Sequence, residues 1–220
     1  MKAALLRERW AFVFALIGVL ILVQGMHGLA RIPGDLIDAR FNNYILEHFW
    51  RFVTGREADF WNAPIFYPYT LATAFSSNHL GTAPVYSIFR LVGTDRETAF
   101  QLWYVAGFAA NFVAAYWVLD RAKYGKLAAA TGAFIFAFGL PALAQQNHAQ
   151  LVWRCGVPLA AWFFWSFVRR GDPRQLFLAA LATVWQLYSE IYMGVMLAML
   201  LAALAAVARR LSSTRSRSSG

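Results

Sequence analysis

Long apolar runs recur along this chain. Crossing a bilayer takes about 20 consecutive apolar residues, and runs near that length cover about 10–30, 98–119, 127–144 and 151–168, with a longer one over 175–208. Hydrophobic residues make up 60% of the sequence and aromatic residues 17%, with a mean hydropathy of +0.46. A soluble domain of this size would be far more polar. The runs therefore predict an all-α integral membrane protein.

The last run is too long for one crossing. Its 34 residues would form a helix about 51 Å long, against a hydrocarbon core of about 30 Å. Basic clusters stand at both of its ends (Arg169, Arg170 and Arg174 before it, Arg209 and Arg210 after it). Lys and Arg gather on the cytoplasmic side of a membrane, so the run must cross an even number of times. It is predicted to form a hairpin near Ser189–Glu190 with spans 175–189 and 191–208, which makes about six transmembrane helices.

The charge distribution predicts the orientation of these helices. The side assigned to the cytoplasm carries 13 Lys and Arg against three acids, whereas the opposite side carries seven arginines against eight acids. The net charge of +9 is thus a topology signal, and nucleic acid is not an expected partner. Both termini are predicted to be cytoplasmic. A large external first loop covers 31–97, and a basic tail over 209–220 is predicted to be disordered.

The external loop is predicted to carry interfacial helices. After Pro33-Gly34, Asp35 can cap a helix that runs to about Val53. At 100° per residue, one arc of that helix is polar and is expected to be solvated, with Glu47 paired to Arg51. The opposite arc is wide and apolar, as in helices that lie along a membrane surface. The polar arc holds Arg40, Asn43, Glu47 and Arg51, and the apolar arc holds Ile37, Phe41, Tyr44, Ile45, Phe49 and Phe52.

Three polar residues of this helix, Asp38, Asn42 and His48, fall in or beside the apolar arc. A carboxylate turned away from water is costly unless it is paired or used in function. Asp38 is therefore a candidate site residue. The alternative is structural, since Asp35 and Asp38 have the spacing of a capping box and acids suit the first turn of a helix.

Four further polar residues are expected on the same side of the membrane. His79 lies in a short polar break, His148 in a short outer loop, Arg154 about one turn into the fourth span and Glu190 at the hairpin. Ionisable residues at membrane depth indicate function by default. The alternatives are a structural donor for His79, snorkelling for Arg154, and a structural Arg154–Glu190 pair. The sequence thus predicts a site at the outer mouth of the bundle.

Several stretches carry a resemblance to bacterial multi-pass glycosyltransferases of the GT-C type. They are "GDLIDARFNNYILEH", "FWNAPIFYP", "SSNHLGTAPVY" and "NHAQLVWRCGVPLA". Asp38-x-x-Phe41-Asn42 also resembles the acid-x-x-aromatic-Asn pattern of oligosaccharyltransferase catalytic subunits. The resemblance covers the chain up to Ala208. It implies an enzyme of the bacterial inner membrane that uses a polyprenyl-phosphate sugar, and the absence of a nucleotide-binding motif fits such a lipid-linked donor.

The resemblance also implies roles for the candidate residues. Asp38, and after it Asp35, would be the catalytic base of an inverting transfer. The substrate and phosphate would be held by a second set (Asn42, His79, His148, Arg154 and Glu190). Relatives often have an acid where Ser77 stands before Asn78-His79, so a metal or base contact of the family is expected to be missing here. A divalent metal stays possible with unknown ligands, and no other cofactor is identified.

The chain departs from this family in length. Such enzymes usually carry more spans, so the resemblance implies an N-terminal portion of an enzyme, or a partner chain that supplies the missing spans. Two other classes stay open. The first is a transporter or lipid flippase that uses Arg154 and Glu190 as an intramembrane polar pair, although no internal repeat is visible. The second is a non-catalytic membrane subunit.

Overall fold

A computed structural model describes residues 8–145 and 147–218, with side chains described up to residue 208. Helices and loops account for this part of the chain, and no strand occurs in it, which confirms the all-α prediction. In chain order the helices are α1 (Arg9–Gly25), α2 (Asp38–Val53), α3 (Ala83–Leu91), α4 (Arg96–Arg121), α5 (Lys126–Phe138), α6 (Leu140–Ala144), α7 (Gly156–Arg170), α8 (Pro173–Ser189) and α9 (Ile191–Ser218). Single 3₁₀ turns cover Ala72–Phe75 and Ala149–Leu151.

Four helical stretches of the described chain are long and apolar enough to cross a membrane. They are Arg96–Arg121, Lys126–Ala144, Ala149–Arg170 and Ile191–Ala208. Each coincides with a span predicted from the sequence. These helices make the chain compatible with a multi-pass membrane protein, whereas the count of six spans stays a prediction.

The first apolar run is only partly helical. The sequence predicts a span over 10–30, but α1 ends at Gly25 after 17 residues. His27, Gly28 and Leu29 then adopt φ values of +51°, +69° and +71°. This left-handed backbone cannot continue a right-handed helix, so the chain turns here although it is still apolar.

The helix breaks where the hairpin is predicted, while the two crossings of that hairpin stay a prediction. Helix α8 ends at Ser189, Glu190 is extended with φ −162° and ψ 122°, and α9 begins at Ile191. The two helices pack closely beside the break, where a Cβ atom on Gly194 would lie 2.7 Å from Leu187 Cα. Helix α9 continues to Ser218, into the predicted tail. The disorder predicted for 209–220 stays a prediction, and residues 219–220 lie outside the described part.

Helix α4 is the centre of the bundle. Its Trp103 and Phe108 are buried, and it packs against α1, α3, α5 and α7. Gly107 lets α7's leading segment approach closely, because a Cβ atom there would lie 2.9 Å from Trp153 Nε1. In contrast, apolar side chains of α9 such as Met199, 68% exposed, face outward. Outward apolar side chains are expected where a helix faces lipid.

Helix α2 lies beside α3 and α4, and this packing corrects the predicted polar arc. Arg40 and Arg51 are exposed as expected, but Asn43 is buried. Glu47 does not pair with Arg51. Its carboxylate binds Arg90 of α3 at 2.9 Å, with both side chains less than a fifth exposed. Helix periodicity correctly predicted that Arg40 and Arg51 are exposed, but it did not predict the pairing of Glu47 with α3.

Candidate functional site

The first turn of α2 places Asp38 against the loop before α7. Asp38 Oδ2 lies 2.7 Å from His148 Nδ1, with the side chains 37% and 47% exposed. The two residues are 110 positions apart, so the contact joins the predicted external loop to the bundle. A carboxylate held by an imidazole at a half-exposed position is a common arrangement for accepting and releasing protons.

Asn42, one turn further along α2, is the centre of a hydrogen-bond network. Its Nδ2 donates to the Asp38 carbonyl oxygen at 2.7 Å and to Gln150 Oε1 at 2.9 Å. Its Oδ1 lies 2.5 Å from His79 Nε2. The side chain is 2% exposed. Because both ends of the amide are engaged, Asn42 fixes α2, the His79 loop and the His148 loop relative to one another.

His79 is buried beneath this network. Its side chain is 1% exposed and meets the Trp103 ring edge-on at 5.4 Å. Burial lowers the pKa of His79 to about 4, although the backbone of Ser189 opposes the shift. The imidazole is therefore neutral near pH 7. With Nε2 as the donor to Asn42, His79 acts as a fixed neutral donor and does not offer positive charge to a phosphate.

The backbone at His79 is also unusual. Its φ of +57° lies in the left-handed region, which non-glycine residues rarely adopt. Such conformations persist when the surroundings over-determine them, and they cluster at functional sites. Here the loop is held on both sides: Gly81 N–H donates to Tyr188 O at 2.8 Å, and Trp185 Nε1 donates to Gly81 O at 3.0 Å.

Glu190 is buried but is not paired with Arg154. Its Oε1 accepts from Ser77 Oγ at 2.9 Å, and its Oε2 accepts from Met193 N at 2.6 Å. It therefore caps α9 and ties this helix to the loop that carries His79. The alternative of an Arg154–Glu190 pair is not seen among the described residues, because Ser77 and Met193 hold the carboxylate and the Arg154 guanidinium stands over the Phe136 ring.

Arg154 has unpaired donors inside the protein. Its backbone N–H donates to Asn111 Oδ1 at 2.8 Å, which fixes the chain at the start of the fourth span. The guanidinium stands over the Phe136 ring, 5.8 Å from its centroid. Nε and Nη2 are buried and have no hydrogen-bond partner in the described part of the chain. Buried donors without partners are costly, so an anionic ligand would relieve them.

Asp35 stands apart from these groups. Its Oδ1 accepts from Ile37 N at 3.0 Å and from Ala39 N at 3.3 Å, which stabilises the turn into α2. Of the predicted site residues, Asp38, Asn42, His79 and His148 form one connected network. Glu190 reaches it only through the Ser77–His79 loop, while Arg154 and Asp35 make no hydrogen bond to it.

The sequence reasoning missed three polar residues that hold the site. Gln150 binds Asn42, as described above. Asn111 Nδ2 donates to Val152 O at 2.7 Å, and Gln186 Nε2 donates to Trp153 O at 2.8 Å. Both amides are fully buried. They were visible as polar residues within apolar runs, a pattern that marks interhelical hydrogen bonds in membranes.

An apolar groove runs beside the site between α7 and α8. It has a volume of about 430 Å³ and begins at Cys155 and Gly156, directly after Arg154. Side chains of both helices line it further along (Leu159, Phe163, Leu178, Leu181 and Trp185). Its apolar lining suits a hydrocarbon chain.

The described residues contain no group of three or more His, Cys, Asp or Glu side chains arranged to hold a metal ion. No protein-family model, curated protein or solved structure matches the chain. The fold thus defines an all-helical protein with helices able to cross a membrane. The network around Asn42 at one end of those helices is its candidate functional site.

Proposed function

We propose that this chain is a membrane glycosyltransferase that transfers a sugar from a polyprenyl-phosphate donor to an acceptor at the outer face of the membrane. The chain crosses the bacterial inner membrane six times with both termini in the cytoplasm. The observation that carries the proposal is the Asp38–His148 pair, half-exposed and anchored by buried Asn42. It stands among the stretches that resemble GT-C enzymes.

In this proposal Asp38 is the base. His148 holds Oδ2, whereas Oδ1 makes no hydrogen bond to the described residues and is available to a substrate hydroxyl. The hydroxyl oxygen forms a bond to the anomeric carbon as its proton passes to Oδ1. The bond from that carbon to the phosphate oxygen breaks, and its electron pair leaves with polyprenyl phosphate. The anomeric centre is inverted because attack and departure occur on opposite faces.

Arg154 receives the leaving phosphate. Its buried Nε and Nη2 can form the two parallel hydrogen bonds with which guanidinium binds phosphate. Such donors act on the charge that develops on the leaving group, and they are worth more in a water-poor site. The apolar groove that begins at Cys155 accommodates the start of the prenyl chain. His79 and Asn42 position the base and do not touch the phosphate.

No observation favours the transporter or flippase alternative, which depended on an Arg154–Glu190 pair that does not form. The non-catalytic subunit alternative makes a different prediction. A subunit without chemistry should tolerate loss of the Asp38 carboxylate, whereas the enzyme should not.

The test is transfer by Asp38→Asn in membranes of the native host, where any partner chain is present. Loss of a general base costs about 10²–10⁴ in rate. Asn keeps the shape of the side chain, so binding of a photoreactive polyprenyl-phosphate sugar should survive. Arg154→Gln should instead lower labelling by that donor. Glu57→Gln, which removes a surface carboxylate paired with Arg51, is the control and should leave both measurements unchanged.

Near-full transfer by Asp38→Asn would rule out its role as the base and leave it as an acid in the first turn of α2, with Asp35 as the next candidate. Equal labelling of the wild type and of Arg154→Gln would remove the phosphate site.

A further inference from the structure

A second cleft lies at the opposite end of the bundle, where α4 turns into α5 and α7 ends. Its volume is about 480 Å³, within the range of about 300–1,000 Å³ that is typical of ligand sites. Four cationic side chains line it together with aromatic rings and two hydroxyl groups, those of Tyr124 and Ser166 (Arg121, Lys123, Arg169, Arg170, Tyr124, Trp162, Trp165 and Ser166). Ser166 is 6% exposed, so its hydroxyl belongs to the wall of the cleft and not to an outer surface.

The positive charge of this cleft is not balanced by nearby acids. Glu8 and Asp120 both bind Lys126, at 2.7 and 2.9 Å. Asp172 Oδ1 accepts from the Arg174 backbone N–H at 3.0 Å and caps α8. Within the described chain the four cations of the cleft form no ion pair. Like charges gathered around one space repel each other, and an anion in that space would relieve the repulsion.

The cleft lies where two helices that are long and apolar enough to cross a membrane end. Arg121 ends α4 and Arg170 ends α7, and both helices belong to stretches able to cross a membrane. Trp residues prefer the membrane–water interface, and Trp165 is 40% exposed here. Val168, directly before Arg169, is also exposed, at 38%. A ligand bound here can therefore place a charged group among the cations and hydrocarbon chains along α7.

We propose that this cleft binds the phosphodiester headgroup of an anionic glycerophospholipid. Guanidinium groups bind phosphate oxygens with paired donors, and the Ser166 and Tyr124 hydroxyls suit a glycerol moiety. A basic pocket between transmembrane helices is a known mode of headgroup recognition. The cleft uses none of the residues of the proposed transfer site and lies at the other end of the helices. Its occupancy is therefore independent of the proposed function.

The test is native mass spectrometry of the purified full chain released from detergent with mixed lipids. The wild type should retain phosphatidylglycerol over phosphatidylcholine of the same acyl chains. Lys123→Gln combined with Arg169→Gln should lower phosphatidylglycerol retention by about tenfold or more. The control, Arg9→Gln combined with Arg174→Gln, removes the same charge at the same end of the bundle but outside the cleft. It should retain the lipid like the wild type.

A soluble competitor separates a lipid site from a phosphate site. Glycerol phosphate at millimolar concentration should displace little phosphatidylglycerol, because it lacks the acyl chains that lie along α7. Full displacement would reassign the cleft to soluble phosphate compounds and overturn the lipid assignment. Equal retention of the two lipids by the wild type, or equal loss in the control variant, would overturn the site altogether. The wild-type comparison decides the matter even if the double variant does not fold.

Discussion

At the scale of single residues, His79 shows how strongly this fold holds its site. The ring is buried beneath Asn42, and burial lowers its pKa to about 4. The unfolded chain takes up a proton as pH falls through about 6.5, whereas the folded chain does so only near 4. Between these values the unfolded state binds more protons, so stability is lost as pH falls.

We therefore expect His79 to lower the free energy of unfolding by about 3 kcal/mol as the pH falls from 6.5 toward 4, with no such loss above pH 6.5. His79→Gln keeps a donor near the Nε2 position but cannot take up a proton. Thermal unfolding in detergent at pH 7.5 and pH 4.5 measures the effect. Between pH 7.5 and pH 4.5 the midpoint temperature of unfolding should fall less in His79→Gln than in the wild type. Equal decreases in the two proteins would show that His79 does not titrate in this range.

His148 gives a second residue-scale prediction. The amide nitrogen of Asn can replace Nδ1, so His148→Asn keeps the donor to Asp38 but removes Nε2. If His148 only orients Asp38, transfer should fall by about tenfold or less, and His148→Ala should fall further. If His148→Asn loses as much as Asp38→Asn, then Nε2 is the base and Asp38 is its orienting partner. Transfer rates measured on the three variants in one membrane preparation distinguish the two roles.

Part of the site could be predicted from residue patterns. Asn42 and His48 are polar residues in or beside the apolar arc of α2, and both are buried, as those positions indicate. The burial of Asn43 and the pairing of Glu47 with Arg90 could not be read from the same pattern. A helix period gives the direction of a side chain, but it does not show which neighbouring element will cover that direction.

At the scale of elements, the loop that carries His79 is held by its contact with the end of α8. A Cβ atom on Gly81 would lie 2.9 Å from Ser189 N and 2.9 Å from Trp185 O, besides a closer approach to Ser189 Oγ. Backbone atoms cannot move aside as a flexible side chain can. The loop and helix would have to separate, which would also strain the hydrogen bond from Ser77 to Glu190.

Gly81→Ala should therefore destabilise the protein by about 1–3 kcal/mol, the usual cost of overpacking. Gly25→Ala is the matched control, because no atom lies within 4 Å of the added Cβ. Gly25 is the last residue of α1, and Ala has a higher helix propensity than Gly, so this variant should not be destabilised. Thermal unfolding of both variants is the measurement. A Gly81→Ala protein as stable as Gly25→Ala would mean that the loop is not packed on α8.

Element boundaries differed in how well the sequence predicted them. The break at Ser189–Glu190 was predicted because length and flanking charge both required it. The end of α1 at Gly25 was not, since hydropathy continues through residue 30 while the backbone turns left-handed at His27. Apolar character limits where a span can lie, but backbone conformation decides where its helix stops.

At the scale of the whole molecule, the unequal charge of the two ends makes the orientation testable. Tyr67 is 94% exposed and Asn147 is exposed, and both belong to the end that carries the candidate site. Tyr124, 67% exposed, and Arg174, also exposed, belong to the end with the basic cleft. Since Lys and Arg are retained in the cytoplasm, the second end should face inward.

The chain should accordingly show two classes of accessibility once Cys155 is replaced by alanine. Single cysteines at Tyr67 and Asn147 should react with a membrane-impermeant maleimide in right-side-out spheroplasts. Cysteines at Tyr124 and Arg174 should react only after the membrane is permeabilised.

A fifth cysteine at Ser213 tests the hairpin, because α8 and α9 return the chain to the side of Arg174 only if each crosses the membrane. If the cysteine at position 213 is labelled from outside while the cysteine at position 174 is protected, α8 and α9 together cross the membrane only once, and the chain has five spans. Labelling of Tyr124 from outside would reverse the whole orientation and move the Asp38 site to the cytoplasm, where an outer-face transfer could not take place.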